Sequence, residues 1–144
     1  MLKNYTTKID TSKSISEILD FLVDVGATGV SQTYVDKECT AIQFVILNEM
    51  QVSVVYKLTA NPDAAYEILI SEKKRINADV TAKVRKQSYK TAWRILRDWV
   101  YAQCALIKLG QATPMQLFLS YAYDPDNDKT IYDRVTDGSL KLLK

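Results

Sequence analysis

Residues 80–109 read VTAKVRKQSYKTAWRILRDWVYAQCALIKL, and this stretch decides the fold. Asp79 can cap a helix that begins here, and Gly110 stops it. A helix of this length spans about 45 Å at ~1.5 Å per residue. A compact domain of this size has a radius of gyration of about 15 Å, so the helix must either break or run past its own domain. Because a second subunit usually covers such an overhang, we expect a homo-oligomer, a dimer or larger.

One face of this predicted helix concentrates positive charge. A turn of about 100° per residue gathers six Lys and Arg side chains into a band about 80° wide, which we call the cationic stripe. Its members are Lys83, Lys86, Lys90, Arg94, Arg97 and Lys108. Tyr101 lies within the band and Trp93 borders it, whereas Trp99 lies on the opposite, apolar face. Along the helix, only Asp98 is close enough to neutralise part of the stripe.

Two interpretations of the cationic stripe stay open. It can be a solvated helix face, on which lysine stems lie over apolar neighbours and no ligand is needed. It can also be a binding surface, because interleaved Glu residues are missing and the guanidinium fork of arginine suits phosphate. The aromatic side chains beside it can stack on a base. The predicted ligand-binding residues are Lys83, Lys86, Lys90, Trp93, Arg94, Arg97 and Tyr101.

The first sixty residues predict one helix and a small antiparallel sheet. Apolar residues recur with helical spacing from Ile15, and Ser14 and Glu17 have the spacing of a capping box. Runs of β-forming residues predict strands over 3–9, 29–36, 39–47 and 51–58. Within the third run, CTAIQFVIL, residues 41–47 are apolar on both faces except for Gln43, so we expect it to be the central strand.

The rest of the chain predicts a mainly helical half. Asn61 and Pro62 have the residue types that start a helix. Further expected elements are a short helix from Pro114 through Leu119, a strand or extended segment over 120–123, a turn over 124–129 and a frayed helix over 130–144. The predicted fold class is therefore α+β, with a β-α-β-β-β order followed by helices. We expect a single domain over 1–144, with a sheet-forming half (1–60) and a helical half (61–144).

The composition argues against several kinds of enzyme. The chain has 144 residues and no histidine, which excludes Ser-His-Asp and Cys-His triads and His-type zinc sites. It has no glycine-rich phosphate loop, and its two cysteines, Cys39 and Cys104, lie in apolar runs that predict buried, reduced thiols. No cofactor, metal or catalytic residue is expected. The formal net charge is only +2, so the chain as a whole is not a polybasic binder.

The acidic segment near residue 125 is predicted to be a surface turn. Asp124, Asp126 and Asp128 alternate as in the start of a calcium loop, but Lys129 stands where the loop needs Gly and Val135 where it needs Glu. Just before it, Tyr121 and Tyr123 point to one side of an extended segment. They either line a pocket or pack in the core.

Two parts of the chain resemble a family of small uncharacterised proteins of bacteriophages and other mobile elements. The residues that carry the resemblance are Lys3-Asn-Tyr-Thr6, Thr91-Ala-Trp-Arg94, Asp98-Trp99, Ala102-Gln103, Ala105-Leu-Ile107, Gly110-Gln111 and Phe118-Leu-x-Tyr121. The likeness covers about half the chain, and the stretch 48–80 departs from it. No settled activity belongs to that family, so the resemblance implies a genomic setting and no mechanism.

The stripe and this setting together suggest three functions. The first is a non-enzymatic protein that binds a nucleotide or a signalling nucleotide, with an anti-defence role. The second is a nucleic-acid-binding accessory protein of phage replication or recombination, and the third an inhibitor that binds a host protein. The N-terminus has no apolar signal sequence, so we expect a cytoplasmic protein without a membrane partner.

Overall fold

The computed structural model describes residues 1–143, and the α+β class is confirmed. In chain order, the elements are α1 (Thr11–Asp24), β1 (Gly29–Val35), β2 (Glu38–Leu47), β3 (Ser53–Thr59), α2 (Pro62–Ser71), α3 (Ala78–Lys108), α4 (Pro114–Phe118), a 3-10 helix (Leu119–Tyr121), β4 (Tyr123–Asp124), β5 (Lys129–Thr130) and α5 (Ile131–Thr136). The predicted long helix is confirmed as the unbroken α3. Among residues 1–143, no helix combines the length and apolar character that crossing a membrane requires.

The chain divides into two compact units, and each is made of two segments. The first unit contains Met1–Phe21 and Ala60–Ala102, and the second contains Leu22–Thr59 and Gln103–Lys144. Their boundaries differ from the predicted halves 1–60 and 61–144, because each unit combines a segment from the first sixty residues with a segment from the rest of the chain. The single domain over 1–144 stays a prediction.

The second unit contains the predicted antiparallel sheet, with strand order β1-β2-β3. The middle position of β2 is confirmed, and its inward side chains are almost fully buried. Phe44 of β2 stacks on Tyr56 of β3 at 5.2 Å between ring centroids, and Phe118 meets Phe44 edge-on at 5.5 Å. Such aromatic pairs stabilise a fold by more than their buried area alone would. These three rings form the centre of this unit's core.

The C-terminal part of this unit forms a two-stranded hairpin and a short capped helix. Tyr123 of β4 pairs with Thr130 of β5, and the predicted turn joins the two strands. Thr130 then caps α5 through a capping box with Asp133. The predicted extended segment 120–123 is wrong in part, because a 3-10 helix occupies Leu119–Tyr121. Lys144, the last residue of the predicted frayed helix, lies outside the described residues.

In the first unit, α2 packs on the start of α3. Asn61 caps α2 as predicted, because its side-chain oxygen accepts the amide of Ala64 at 3.0 Å. Arg85 of α3 lies 3.8 Å above the ring of Tyr66 and donates to Asp63 at 2.9 Å. One guanidinium thus makes both a cation–π contact and an ion pair with α2.

Two predictions for the N-terminal region are wrong. Residues 3–6 form turns rather than a strand, because Asn4 takes a left-handed φ of +62° that interrupts an extended run. The order at the N-terminus is therefore α-β-β-β. The capping box of Ser14 and Glu17 does not form, since α1 already begins at Thr11. The backbone carbonyl of Asp10 instead accepts the Ser14 amide at 3.2 Å.

The two cysteines are free and buried, as predicted. Burial, reinforced by the charge of Asp24, raises the pKa of Cys104 to about 11, and burial also raises the pKa of Cys39. With a pKa of about 11, only about 0.1% of the Cys104 thiol is ionised at pH 8. Because the thiolate is the reactive form, both thiols are expected to be inert in the folded protein.

We predict that the native protein at pH 8 reacts with a thiol-specific reagent at least about 100-fold more slowly than the unfolded protein. Time-resolved labelling with and without 6 M guanidinium measures the two rates. Raising the pH to about 10 in the native state should increase the rate of Cys104 in proportion to its thiolate. Fast stoichiometric labelling at pH 8 would contradict this account of both sites.

Candidate functional site

The two arginines of the cationic stripe form ion pairs with one carboxylate. Arg97 Nε donates to Glu17 Oε2 at 2.6 Å, and Arg94 Nη1 donates to the same oxygen at 2.9 Å. The three side chains are only 15–25% exposed. Glu17 belongs to α1, far away in sequence, so the expectation that only Asp98 neutralises the stripe is wrong.

Arg97 also lies against a pair of aromatic rings. Its guanidinium carbon lies 4.9 Å from the ring centroid of Phe21 and 5.3 Å from that of Tyr101. The two rings meet edge-on at 5.3 Å. Tyr101, predicted to stack on a base, therefore packs against Arg97 and Phe21, although 55% of its surface stays exposed. Because Glu17 and Asp98 already pair with its charge, Arg97 is not a free anion-binding group.

Asp98 and Thr91 attach the N-terminal segment to α3. Asn4 Nδ2 donates to Asp98 Oδ2 at 2.9 Å, and Lys3 Nζ lies 3.1 Å from the same oxygen. The buried hydroxyl of Thr91 donates to the carbonyl of Asn4 at 3.0 Å, and Gln87 donates to the carbonyl of Thr7 at 2.9 Å. Four contacts between α3 and the N-terminal segment thus hold the turn that contains the sequence Lys3-Asn-Tyr-Thr6.

The pKa values of the two carboxyl groups follow from these contacts. Burial opposes ionisation of Glu17, but the Arg97 hydrogen bond and the charges of Arg94 and Arg97 outweigh it and lower its pKa. Burial likewise opposes ionisation of Asp98, and hydrogen bonds from Asn4, Lys3 and Arg97 lower its pKa. Both carboxylates are therefore structural anions of the folded state.

The predicted position of Trp93 is wrong. Trp93, predicted at the accessible edge of the stripe, is 0% exposed and is a core side chain. Trp99, predicted as core, is only half-buried. The error follows from treating the stripe as a solvent face, since α1 and the N-terminal segment attach to it. Trp93 therefore cannot stack on a base unless the first unit opens.

The lysines of the stripe occupy different surroundings. Lys90 is half-buried and lies 3.8 Å from Asp10, while Lys83 forms an exposed i,i+4 pair with Asp79 at 3.2 Å. Lys86 is exposed, and no ion pair joins it to another described residue. Lys108, at the other end of α3, pairs with Asp24. The stripe is therefore not one continuous anion-binding surface.

A groove of about 540 Å³ lies in the first unit beside the exposed end of the stripe. Residues from the N-terminal segment, the end of α2 and the start of α3 line it. They are Tyr5, Thr6, Lys8, Leu69, Glu72, Lys73, Val80, Lys83, Val84 and Gln87. We call it the lysine groove. Its volume is within the usual range for small-molecule sites.

The lysine groove combines an apolar floor with a positive rim. Leu69 and Val84 are buried, whereas the three lysines on the rim, Lys8, Lys73 and Lys83, are exposed. Glu72 is the only acidic lining residue, so positive charge dominates. The pair of Lys83 with Asp79 is more than 70% exposed on both sides, and such pairs exchange readily for a better anion.

A second pocket, of about 420 Å³, belongs to the second unit and has the opposite character. Tyr121 and Tyr123 both line it, which confirms one of the two alternatives for these residues. Its Lys57 already pairs with Asp128 at 3.7 Å and lies 4.7 Å above the ring of Tyr123. Asp133 adds a second carboxylate to the lining, so the carboxylates outnumber the single lysine there.

The acidic turn does not form a metal site. Asp124 accepts from the amide of Asp126 at 3.0 Å and from the side chain of Asn127 at 2.6 Å, and Asp128 accepts from Tyr123 at 2.5 Å. Within residues 1–143, no group of three or more potential metal-binding side chains occurs. The predicted surface turn is confirmed.

Sequence reasoning identified Lys83 and missed the other residues of the lysine groove. Tyr5 and Lys8 fell within the predicted strand over 3–9, which does not form. The six residues between α2 and α3 were the available signal, because so short a connection brings the end of one helix close to the start of the next.

Replacing the shared carboxylate should destabilise the protein. We predict that Glu17→Gln lowers the free energy of unfolding by about 1 to 2 kcal/mol, because Arg94 loses its counter-ion and Arg97 keeps only Asp98. Lys83→Gln removes one partner of an exposed ion pair within α3 and should change the free energy of unfolding by less than about 0.5 kcal/mol. Urea denaturation measures both variants, and equal effects would contradict a special role of Glu17.

The lowered pKa of Glu17 also predicts a pH dependence. The pKa of Glu17 in the folded state is lower than its ordinary value of 4.5. The ionised Glu17 therefore stabilises the folded state fully above pH 4.5, and this stabilisation is lost as the pH falls through the lowered pKa. Denaturation between pH 5 and pH 3 should show a smaller loss of stability for Glu17→Gln than for wild type. Parallel curves would show that Glu17 has an ordinary pKa.

Comparison of the chain with protein-family models, with curated proteins and with solved structures finds no match.

Proposed function

We propose that the protein is a non-enzymatic binding protein whose lysine groove takes a phosphate-bearing small molecule, a nucleotide or signalling nucleotide. The observation that carries the proposal is the concentration of three exposed lysines around an apolar floor. Tyr5, from the same N-terminal segment as Lys8, also lines the groove. Lysine ammonium groups bind phosphate as point charges, and an aromatic ring provides a surface for a base.

The contacts of the N-terminal segment favour a preformed site. Tyr5 and Lys8 lie on a segment that α3 holds through Asn4 and Thr7. Because this wall is already ordered, a ligand does not have to fix it, and binding loses less conformational entropy. Lys73, on the opposite wall, lies two residues after the end of α2. Arg85 of α3 holds α2 through its contacts with Asp63 and Tyr66.

This proposal moves the ligand away from most of the residues predicted for it. Lys83 is part of the groove and Lys86 lies one turn further along the exposed start of α3. Arg94, Arg97 and Lys90 are paired within the first unit, and Trp93 is buried. These four residues do not line the groove.

A nucleic acid is the second candidate, and one observation favours it. The segment after α2 reads Lys73-Lys74-Arg75, and these exposed cations extend the positive surface of the groove beyond the space for a small ligand. Phosphates of a polymer would bind along such a row and release counter-ions. The binding of a host protein, the phage setting, the anti-defence role and the cytoplasmic location stay predictions from sequence, as does oligomerisation through the long helix.

Isothermal titration calorimetry with ADP, cyclic AMP and ADP-ribose tests the proposal. We expect at least one of them to bind, and Lys8→Gln with Lys73→Gln to weaken its affinity at least about 10-fold, since each hydrogen bond to a charged group contributes about 1.5 kcal/mol or more. Tyr5→Leu should weaken binding about 5-fold or more through the lost stacking.

Lys37→Gln is the matched control, because Lys37 is exposed, belongs to the second unit and should leave the affinity unchanged. Gel shift with an oligonucleotide at two salt concentrations separates the second candidate, which requires affinity that falls steeply with salt. Absence of heat with all three nucleotides would contradict the proposed ligand class.

A further inference from the structure

The strand β1 is an edge strand whose second side is open. It pairs with β2 only, and all seven of its residues are exposed. Three of them are sizeable apolar side chains: Val30, Tyr34 and Val35 are 40%, 58% and 56% exposed. Among the described residues, no strand pairs with the free side of β1.

Edge strands of monomeric proteins usually carry features that prevent further pairing, such as Lys, Pro, a bulge or a very short length. The sequence of β1, GVSQTYV, contains no charged residue and no proline. The irregularity at Thr33 and Tyr34 comes from an extra residue, Thr40, on β2, so β1 keeps its regular alternation. The opposite edge strand, β3, carries Lys57 and is bridged by Ala122.

We propose that β1 pairs antiparallel with β1 of a second copy, which joins the two three-stranded sheets into one sheet of six strands. The proposal is independent of the ligand of the lysine groove. A two-fold axis through Gln32 gives the largest overlap, since all seven residues then find a partner. The interface that we propose lies on this sheet edge, whereas the sequence predicted one along the long helix.

The strand is complementary to itself in this register. Val30 faces Tyr34 of the second copy, an apolar pair of the kind that stabilises sheets, and Ser31 faces Thr33. No like charges meet, because the strand has none. In the existing sheet, Val30 lies opposite Phe44 on the inward face, so an axis perpendicular to the sheet keeps the apolar side chains of both copies on one face.

The position of Gln32 provides a direct test, because it meets its own copy on the axis. We expect the wild type to be a dimer by light scattering after size exclusion. Gln32→Lys and Gln32→Glu should each weaken self-association at least about 10-fold, since like charges then face each other. An equimolar mixture of the two variants should restore the dimer as a heterodimer.

Ser53→Lys on β3 is the matched control, because it adds the same charge to an exposed strand residue of the other sheet edge and should leave the dimer intact. Gln32 is itself exposed, so neither variant should unfold the sheet, and circular dichroism checks this. A monomeric wild type at 100 μM would overturn the proposal. It would equally fail if both Gln32 variants dimerised as tightly as wild type, or if their mixture stayed monomeric.

Discussion

The carboxylate of Glu17, shared by the guanidinium groups of Arg94 and Arg97, is the contact on which the first unit depends. Cations that are three-quarters or more buried are unfavourable unless a counter-ion accompanies them. By pairing both arginines, Glu17 fixes α1 on the middle of α3. The middle of the predicted cationic stripe is thereby an internal face, and Trp93 beside it is a core residue.

The same stretch of α3 also holds the N-terminal segment in place. Thr91 and Asp98 both bond to Asn4. Two parts of the chain that are about 90 residues apart in sequence thus form one contact network. Its consequence for function is indirect, since holding the turn leaves Tyr5 and Lys8 on the wall of the lysine groove. Along α3, paired arginines occupy the middle of the helix and exposed lysines its start.

The sequence predicted those features whose signals are local. The period of α3, the Asn61 cap and the apolar run of β2 are each read within one element, and all three are confirmed. The partners of the stripe were not predictable in this way, because Glu17 lies 77 residues before Arg94 and 80 before Arg97. A helical wheel shows which cations share a face but not which carboxylates another element brings to it. The failed strand over 3–9 has a similar cause, since contacts with α3 hold Asn4 in a left-handed turn.

A double-mutant cycle on Glu17 and Arg97 measures the central contact most directly. The free energies of unfolding of wild type, Glu17→Gln, Arg97→Gln and the double variant give the coupling between the two side chains, free of their separate effects on α1 and α3. A structural ion pair in part-buried surroundings predicts a favourable coupling of about 1 kcal/mol or more. A coupling near zero would contradict this account, because it would show that the stripe is a solvated face and that another contact holds α1 in place.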